Sequence, residues 1–392
     1  MDKNRVPPLQ DKQVRLFTND REGILLRRPN RFLIIAQDGA EELVCHCPNP
    51  GRLLEFLFPG VRLILEKRQS IGRKTGSAPK TNWTVGGVYH REGVAPLFAA
   101  RANHVAEALI LKQIIPGLKE LHPEYTVGSS RFDFMGRDAA NRVHLIEVKA
   151  CSLVEHQVAM FPDAPSVRAL KHLEELGALS AQGYCGHVLF VIVHGNPQVF
   201  IPNLHTDPRF AAGLSRWAST VQIHASLVHC NAQGEVRLVA PSVPVDLQHG
   251  ELAEQNRGNY LILLELSEEK VLRVGSLGTR TFVPGWYVYT GSAQKNLSHR
   301  INRHTEKMRK TQHWHIDYLS PHTSTIKALP IMTYRNRECE LAGSLHDLGG
   351  KAIPGFGCSD CCCESHLFYF ADPPLESRAF VDLLLWYRAH FA

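Results

Sequence analysis

Asp133, Glu147 and Lys149 are the residues whose types and spacing most directly suggest chemistry: an aspartate, thirteen residues, then Glu-x-Lys, all inside the stretch 129–149. Two carboxylates brought together repel unless one is protonated or a cation lies between them. Oxygen-rich pairs of this kind suit Mg2+ or Mn2+. An adjacent ammonium can orient or activate a water. A cation that polarises a phosphate and a water positioned to attack it are the requirements of metal-dependent phosphodiester hydrolysis. A Glu-x-Lys tripeptide alone reads far more often as a solvated salt-bridge face on any exposed strand. The upstream aspartate, and a following helix with cations at its start, favour the hydrolytic reading.

The elements around these residues are those that could position them. Two β-rich runs, Arg131–Met135 and Arg142–Lys149, flank the turn-forming segment 136–141 and predict a hairpin. Alternation sets Glu147 and Lys149 on one face and Val148 on the other, and a turn centred near Ala139 and Ala140 sets Asp133 across from Glu147. Beyond the hairpin, residues 161–165 turn into a helix reaching about Gln182, with Pro165 in its tolerated first turn. Leu170 and Leu173 face inward. Arg168, Lys171 and His172 lie near the helix start, either as phosphate contacts or as surface cations and a hydrogen-bonded histidine. The apolar run from Gly186 to His194 reads as a buried central strand. Upstream, a helix capped by Asn103 carries Val105 and Leu109 until Pro116 and Gly117 stop it. Its Glu107 is a further candidate acid or a solvent-facing one.

The motifs GSSRFDF, IEVKACSL, MFPDAPSVRALKHLEEL and the upstream HCPNPG resemble the sugar fermentation stimulation protein family over roughly residues 12 to 246. That family is similar to the PD-(D/E)xK nucleases. The resemblance implies an α/β multidomain protein, with an OB-like β-barrel ahead of a restriction-endonuclease-like α/β core. Asp133 and Glu147 would be the Mg2+ or Mn2+ ligands and Lys149 the catalytic lysine. Arg101 and Asn103 match polar positions that face the family's cleft, and together with Arg131, Arg168, Lys171 and His172 they form the expected nucleic-acid-binding set. Cys151 and Ser152 stand where the family usually has a β-branched pair, and Ala169 where glycine is usual, which touches helix packing more than the acids. The family name implies an alternative: a non-catalytic DNA-binding regulator of sugar metabolism genes.

Composition sets outer bounds. A chain of 392 residues, 44% hydrophobic and 21% charged, is ordinary globular sequence and too long for one domain. The expected division is an OB-like barrel at 1–90, the nuclease-like domain at 91–246, a linker at 247–257 and a further unit at 258–392. No apolar run of about eighteen residues appears, and the start MDKNRVPPLQ lacks an apolar signal core, so a cytoplasmic protein without membrane segments is expected. Formal charge is +6, and residues 52–91 hold eight Lys or Arg against two acids while 295–310 hold six against one. Clusters of that sign favour a polyanion, single- or double-stranded DNA, and nothing in the residues excludes RNA. Short strands at 13–18, 31–37, 42–47 and 61–67 suggest the small barrel, with a basic half from Arg52 to Lys80 and Trp83 and Tyr89 available for stacking. Cys45, His46 and Cys47 alternate along a strand and do not meet at one ion. Oligomeric state is not legible.

From Gly258 the chain resembles the GIY-YIG nuclease superfamily, in an uncharacterised branch that carries HWHIDYL and GFGxSDCxCxSHLF. Tyr260 matches the first-motif tyrosine, Tyr289 and Gly291 the second motif, and Arg300 the helix arginine. The resemblance implies that these surround a water and a scissile phosphate while a glutamate holds a divalent ion, here Glu340 with Glu338 as rival. The two tyrosine motifs lie about thirty residues apart, longer than usual, and the insert 265–284 suggests an extra hairpin. The tyrosines also suit plain core packing. His313, His315 and Asp317 alternate as if on one strand face. Cys358, Cys361, Cys363 and His366 have spacing compatible with structural Zn2+, with reactive or buried cysteines as the alternative. Residues 375–392 read as a packing helix.

Overall fold

The computed structural model describes residues 14–68, 81–91, 93–306 and 311–391. Parts of the two basic clusters, residues 69–80 and 307–310, lie outside the described residues.

Five strands form the barrel: Arg21–Asn30, Leu33–Asp38, Glu41–His46, Arg62–Lys67 and Trp83–His90. Antiparallel neighbours run from Glu41–His46 to Trp83–His90, and the parallel pairing of Cys45 and His46 with Trp83 and Thr84 closes the ring. Alternate residues point inward, so Leu25, Ile34, Ala36, Cys45, Leu65 and Val85 fill the interior. Cys45 and Cys47 are buried thiols within it. Two of the five strands break the alternation that reveals strands in sequence: Arg27, Arg28 and Pro29 interrupt Arg21–Asn30, and Gly86 and Gly87 interrupt Trp83–His90. The expected first barrel strand is not in the barrel. Val14 and Arg15 pair instead with Val236 and Glu235 of the second unit.

The barrel and the α/β core share one continuous sheet. Gly93–Pro96 pairs with the barrel on one side and, through Val94 and Cys230, with Val221–Cys230 on the other. Next come Cys185–Ile192, Val143–Cys151, Ser130–Arg137 and the edge strand Lys119–Val127. The three central strands are parallel, and a parallel sheet needs both faces covered. Ile146, Val148, Leu189 and Val191 pack under the helical stretch that carries Val105 and Ile110. Leu145, Val188 and Phe190 pack under the helices Val167–Ser180 and Pro208–Trp217. Ser166, whose Oγ accepts from Ala169 N, caps the first of these helices, so Pro165 lies before the cap rather than inside the first turn.

The third unit is a five-stranded antiparallel sheet, ordered Thr325–Met332, Gly258–Leu266, Gly285–Ala293, Leu367–Phe370 and Lys351–Ala352. Helices Glu338–Asp347 and Arg378–Ala389 cover one face through Leu341, Leu345, Phe380 and Leu384. Leu297–Thr305 lies on the other. The insert forms the expected hairpin, Lys270–Arg273 with Thr279–Phe282. The expected linker is partly ordered as the helix Gly250–Gln255, which buries Leu252 and Ala253. No described helix is long and apolar enough to cross a membrane.

Candidate functional site

The predicted hairpin forms between Ser130–Arg137 and Val143–Cys151, in register from Arg137 opposite Val143 to Phe134 opposite Ile146. There the ladder ends. In its place the Asp133 side chain takes over, its Oδ2 accepting from Val148 N at 2.8 Å and its Oδ1 from Asn103 Nδ2 at 2.7 Å. Burial and the nearby Glu147 carboxylate raise the Asp133 pKa above the usual carboxylate range. Glu147 shares its strand face with Leu145, toward the helix Val167–Ser180, and is 3% exposed. His172 Nδ1 of that helix lies 2.6 Å from Glu147 Oε1, and Lys149 Nζ also donates to Oε1. Burial alone would raise the Glu147 pKa, but His172 and Lys149 outweigh it and hold the group low. Glu147 Oε2 is buried with no hydrogen-bond partner.

The structure redistributes the residues expected to bind nucleic acid. His172 is buried against Glu147 and Arg168 Nε approaches its other ring nitrogen at 3.5 Å, so both ring nitrogens have protein neighbours. Asn103 sits inside a helical stretch, caps nothing, and hydrogen-bonds the other acid. Arg101 is engaged within the protein: it pairs with Glu66 at 3.2 Å, donates to the Leu16 carbonyl, and lies 3.6 Å from the Phe98 ring centroid. It ties the barrel to the core. Arg131 is exposed beside Glu124 at 3.4 Å, and Lys171 is exposed beside Glu175 at 3.6 Å. Arg168, Lys171 and Arg131 therefore keep their charge near the surface of the hairpin and helix. Glu107 is exposed. On the barrel, Trp83 and Tyr89 already lie under Arg21 and Arg62, and Tyr89 donates to Glu22 at 2.5 Å.

In the third unit, Tyr260 and Gly291 are paired across adjacent strands. Glycine is required there, because a side chain would overlap the Tyr260 ring and hydroxyl. Tyr260 and Tyr289 are both buried, with ring centroids 6.5 Å apart. Burial raises the Tyr260 pKa strongly; the nearby Arg300 guanidinium opposes this, and Glu338 adds to it. Arg300 also lies 4.6 Å from the Trp314 ring centroid. The glutamate beside the tyrosines is Glu338, which accepts from Ser292 Oγ at 2.6 Å. The expected Glu340 is two helical steps away, with its side chain 52% exposed and directed toward Arg337. Successive helix residues point about 100° apart, so only one of the two can face the tyrosines.

Two further expectations change. His313, His315 and Asp317 do not share a strand, since Ile316–Leu319 is a short helix. Asp317 receives the backbone N–H groups of His313 and Trp314 at 2.9 and 3.0 Å, and Gly357 N donates to His315 Nδ1 at 2.9 Å. In the cysteine cluster, Cys358 turns its thiol to the Glu364 carbonyl at 3.5 Å. Cys339, distant in sequence and on the helix Glu338–Asp347, takes its place beside Cys361, Cys363 and His366. Cys339 stands alone in the run RNRECELA, so no local spacing marks it.

Three family models match the chain: the SfsA N-terminal OB domain at 26–94, the sugar fermentation stimulation protein RE domain at 100–234, and the domain of unknown function DUF123, which is GIY-YIG-like, at 259–384. A sugar fermentation stimulation protein homolog of Pyrobaculum neutrophilum is 34% identical over 231 residues, 58% of this chain and 95% of the relative. One from Clostridium botulinum is 37% identical over 199 residues, 50% of this chain and 84% of the relative. The solved structure of Pyrococcus furiosus SfsA in complex with Ca2+ superposes with a TM-score of 0.51 at 27% identity, covering 59% of this chain and 99% of that one.

Proposed function

The chain belongs to the sugar fermentation stimulation protein family, and from that premise and the acid pair we propose that it is a divalent-metal-dependent nuclease that hydrolyses phosphodiester bonds in DNA. The observation that carries this reading is Glu147 Oε2, a buried carboxylate oxygen without a partner, beside the partly buried carboxylate of Asp133. A buried unpaired anionic oxygen is costly, and a bound cation removes that cost. The donor set is all oxygen, which suits Mg2+ or Mn2+, and the related Pyrococcus furiosus protein was solved with another hard cation, Ca2+.

Asp133 and Glu147 would hold the ion, which when bound polarises a phosphate and lowers the pKa of a water. The remaining work falls to side chains. Lys149 Nζ, held by Glu147, orients the attacking water. His172 and Asn103 each fix one carboxylate, so the pair is preorganised before substrate arrives. Arg168 and Lys171, exposed at the start of the helix Val167–Ser180, are suited to the phosphodiester backbone, with Arg131 on the neighbouring strand. In the third unit, Tyr260, Tyr289, Arg300 and Glu338 form a candidate second phosphodiester site.

A non-catalytic DNA-binding regulator is the second reading, favoured by the contacts of Lys149 and His172 with Glu147 Oε1, which satisfy that oxygen without any ion. Incubating the full chain with Mn2+ and single-stranded DNA, double-stranded DNA and RNA separates the readings. Nicking of DNA that stops on adding EDTA supports the nuclease, and binding without nicking supports the regulator. Cleavage of RNA alone overturns the DNA assignment.

A further inference from the structure

A cluster of thiols and an imidazole, unrelated in composition to the acid pair, lies in the third unit. Cys339 Sγ, Cys361 Sγ, Cys363 Sγ and a ring nitrogen of His366 all lie within 4.8 Å of one another. His366 Nε2 is 3.4 Å from Cys361 Sγ and 4.0 Å from Cys339 Sγ. A tetrahedral zinc centre with bonds of about 2.0–2.3 Å has ligand atoms roughly 3.5–3.8 Å apart, and the spacings of 3.4 and 4.0 Å lie close to either side of that range. Oxygen-preferring cations do not suit three thiols and an imidazole, whereas Zn2+ does.

Two features show that the cluster is more than crowded cysteines. The first is the orientation of the histidine. His366 Nδ1 lies 2.9 Å from Glu338 Oε1, an outer carboxylate of the kind that fixes the tautomer of a metal-binding imidazole and aims its other nitrogen at the ion. The second is how the loop is pinned. Gly355 N donates to the Glu364 carbonyl at 2.9 Å, and Gly355 and Gly357 both have φ of 76°, a left-handed turn that glycine adopts without strain. That turn brings the loop cysteines back toward the start of the helix Glu338–Asp347, where Cys339 projects.

We propose that Cys339, Cys361, Cys363 and His366 bind one Zn2+ in a closed four-coordinate site, with Glu338 as its outer carboxylate. Each ligating thiol releases its proton to solvent, and no redox partner is required. With four protein ligands the ion has no open position for a water, so its role is to clamp loop to helix rather than to hydrolyse. The clamp has a consequence for the neighbouring site. Glu338 also accepts from Ser292, on the strand that carries Tyr289, so the ion fixes the carboxylate that faces the tyrosine pair.

The test uses the full chain, reduced, incubated with Zn2+, freed of excess by dialysis and measured for bound zinc. One Zn2+ per chain is expected, kept in Cys358→Ser and Cys362→Ser and lost in Cys339→Ser and Cys363→Ser. Co2+ substitution of the wild-type chain supplies a reading that no variant's folding can obscure: intense thiolate-to-cobalt absorption with a tetrahedral ligand-field band is expected. A wild-type chain that retains no zinc and gives no such Co2+ spectrum overturns the proposal. So does loss of zinc in Cys358→Ser with retention in Cys339→Ser, or a disulfide among Cys339, Cys361 and Cys363 that persists in reductant.

Discussion

Glu147 directs one oxygen at two donors and leaves the other with none. That asymmetry explains why a buried carboxylate stays ionised: His172 and Lys149 lower its pKa, while Asp133, lacking a cation of its own, is driven up by burial and by Glu147. The pair is thus unequal before any ion binds. His172 acts through Glu147, so its loss should show as misplacement of the acid rather than as lost affinity for DNA. His172→Ala is expected to slow Mn2+-dependent cleavage by about 10–100-fold, as loss of an outer-shell partner does, with DNA affinity unchanged. His172→Gln, able to donate one hydrogen bond, should recover part of the rate. Parallel measurements of turnover and of DNA binding decide it, and equal loss in both would make His172 a packing residue only.

At the scale of elements, the hairpin was legible because its turn residues and β-rich runs are local signals, and the central strand Cys185–Ile192 because parallel strands read as unbroken apolar runs. The barrel was half legible: a proline and paired arginines in one strand, and two adjacent glycines in another, erase the alternation on which strand reading depends. The site was legible only in its acids and lysine. The partners of Asn103 and His172 were not legible, since an asparagine near a helix start also reads as a cap and a histidine near one as a phosphate contact or a hydrogen-bonded ring, and tertiary packing turns both toward carboxylates. Glu338 was overshadowed by Glu340 because helix phase decides which of the two faces the sheet, and Cys339 was missed because it is far in sequence from the cysteines that it joins. The strand pairing of Tyr260 with Gly291 yields a sharp expectation. Gly291→Ala puts a methyl into the Tyr260 ring, and overpacking of this kind costs about 1–3 kcal/mol. Thermal denaturation should report a lowered Tm for Gly291→Ala and no comparable change for Gly343→Ala, where the added carbon meets nothing.

Across the whole molecule, the third unit docks on the core through a buried histidine. His205 Nδ1 accepts from Met332 N at 2.9 Å and Nε2 faces the Arg388 carbonyl at 2.8 Å, so the ring is neutral with its proton on Nε2. Burial pushes its pKa down to about 3, and those of His187 and His194 to about 3 and about 4. Unfolded histidines protonate near pH 6.5 while these stay neutral, so the unfolded state binds more protons as pH falls. Their contribution to stability is complete above about pH 6.5 and declines below it, by at most about 1.4 kcal/mol per pH unit for each histidine. Depressed carboxylates such as Glu147 and Glu155 add to this loss only below the unfolded carboxylate pKa near 4.5. Denaturant unfolding between pH 7 and pH 5 should therefore show stability falling with acid, and His205→Gln should flatten the slope. A slope left unchanged by His205→Gln would contradict the neutral-histidine dock.

The central claim, that phosphodiester cleavage is carried by the acid pair and by the tyrosine site behind it, meets its most direct test in a full chain carrying both Asp133→Asn and Arg300→Ala. Mn2+-dependent nicking of a DNA duplex, measured beside DNA affinity, is expected to vanish in this variant while much of the affinity remains. Nicking that persists at the wild-type rate and still requires Mn2+ would contradict both site assignments.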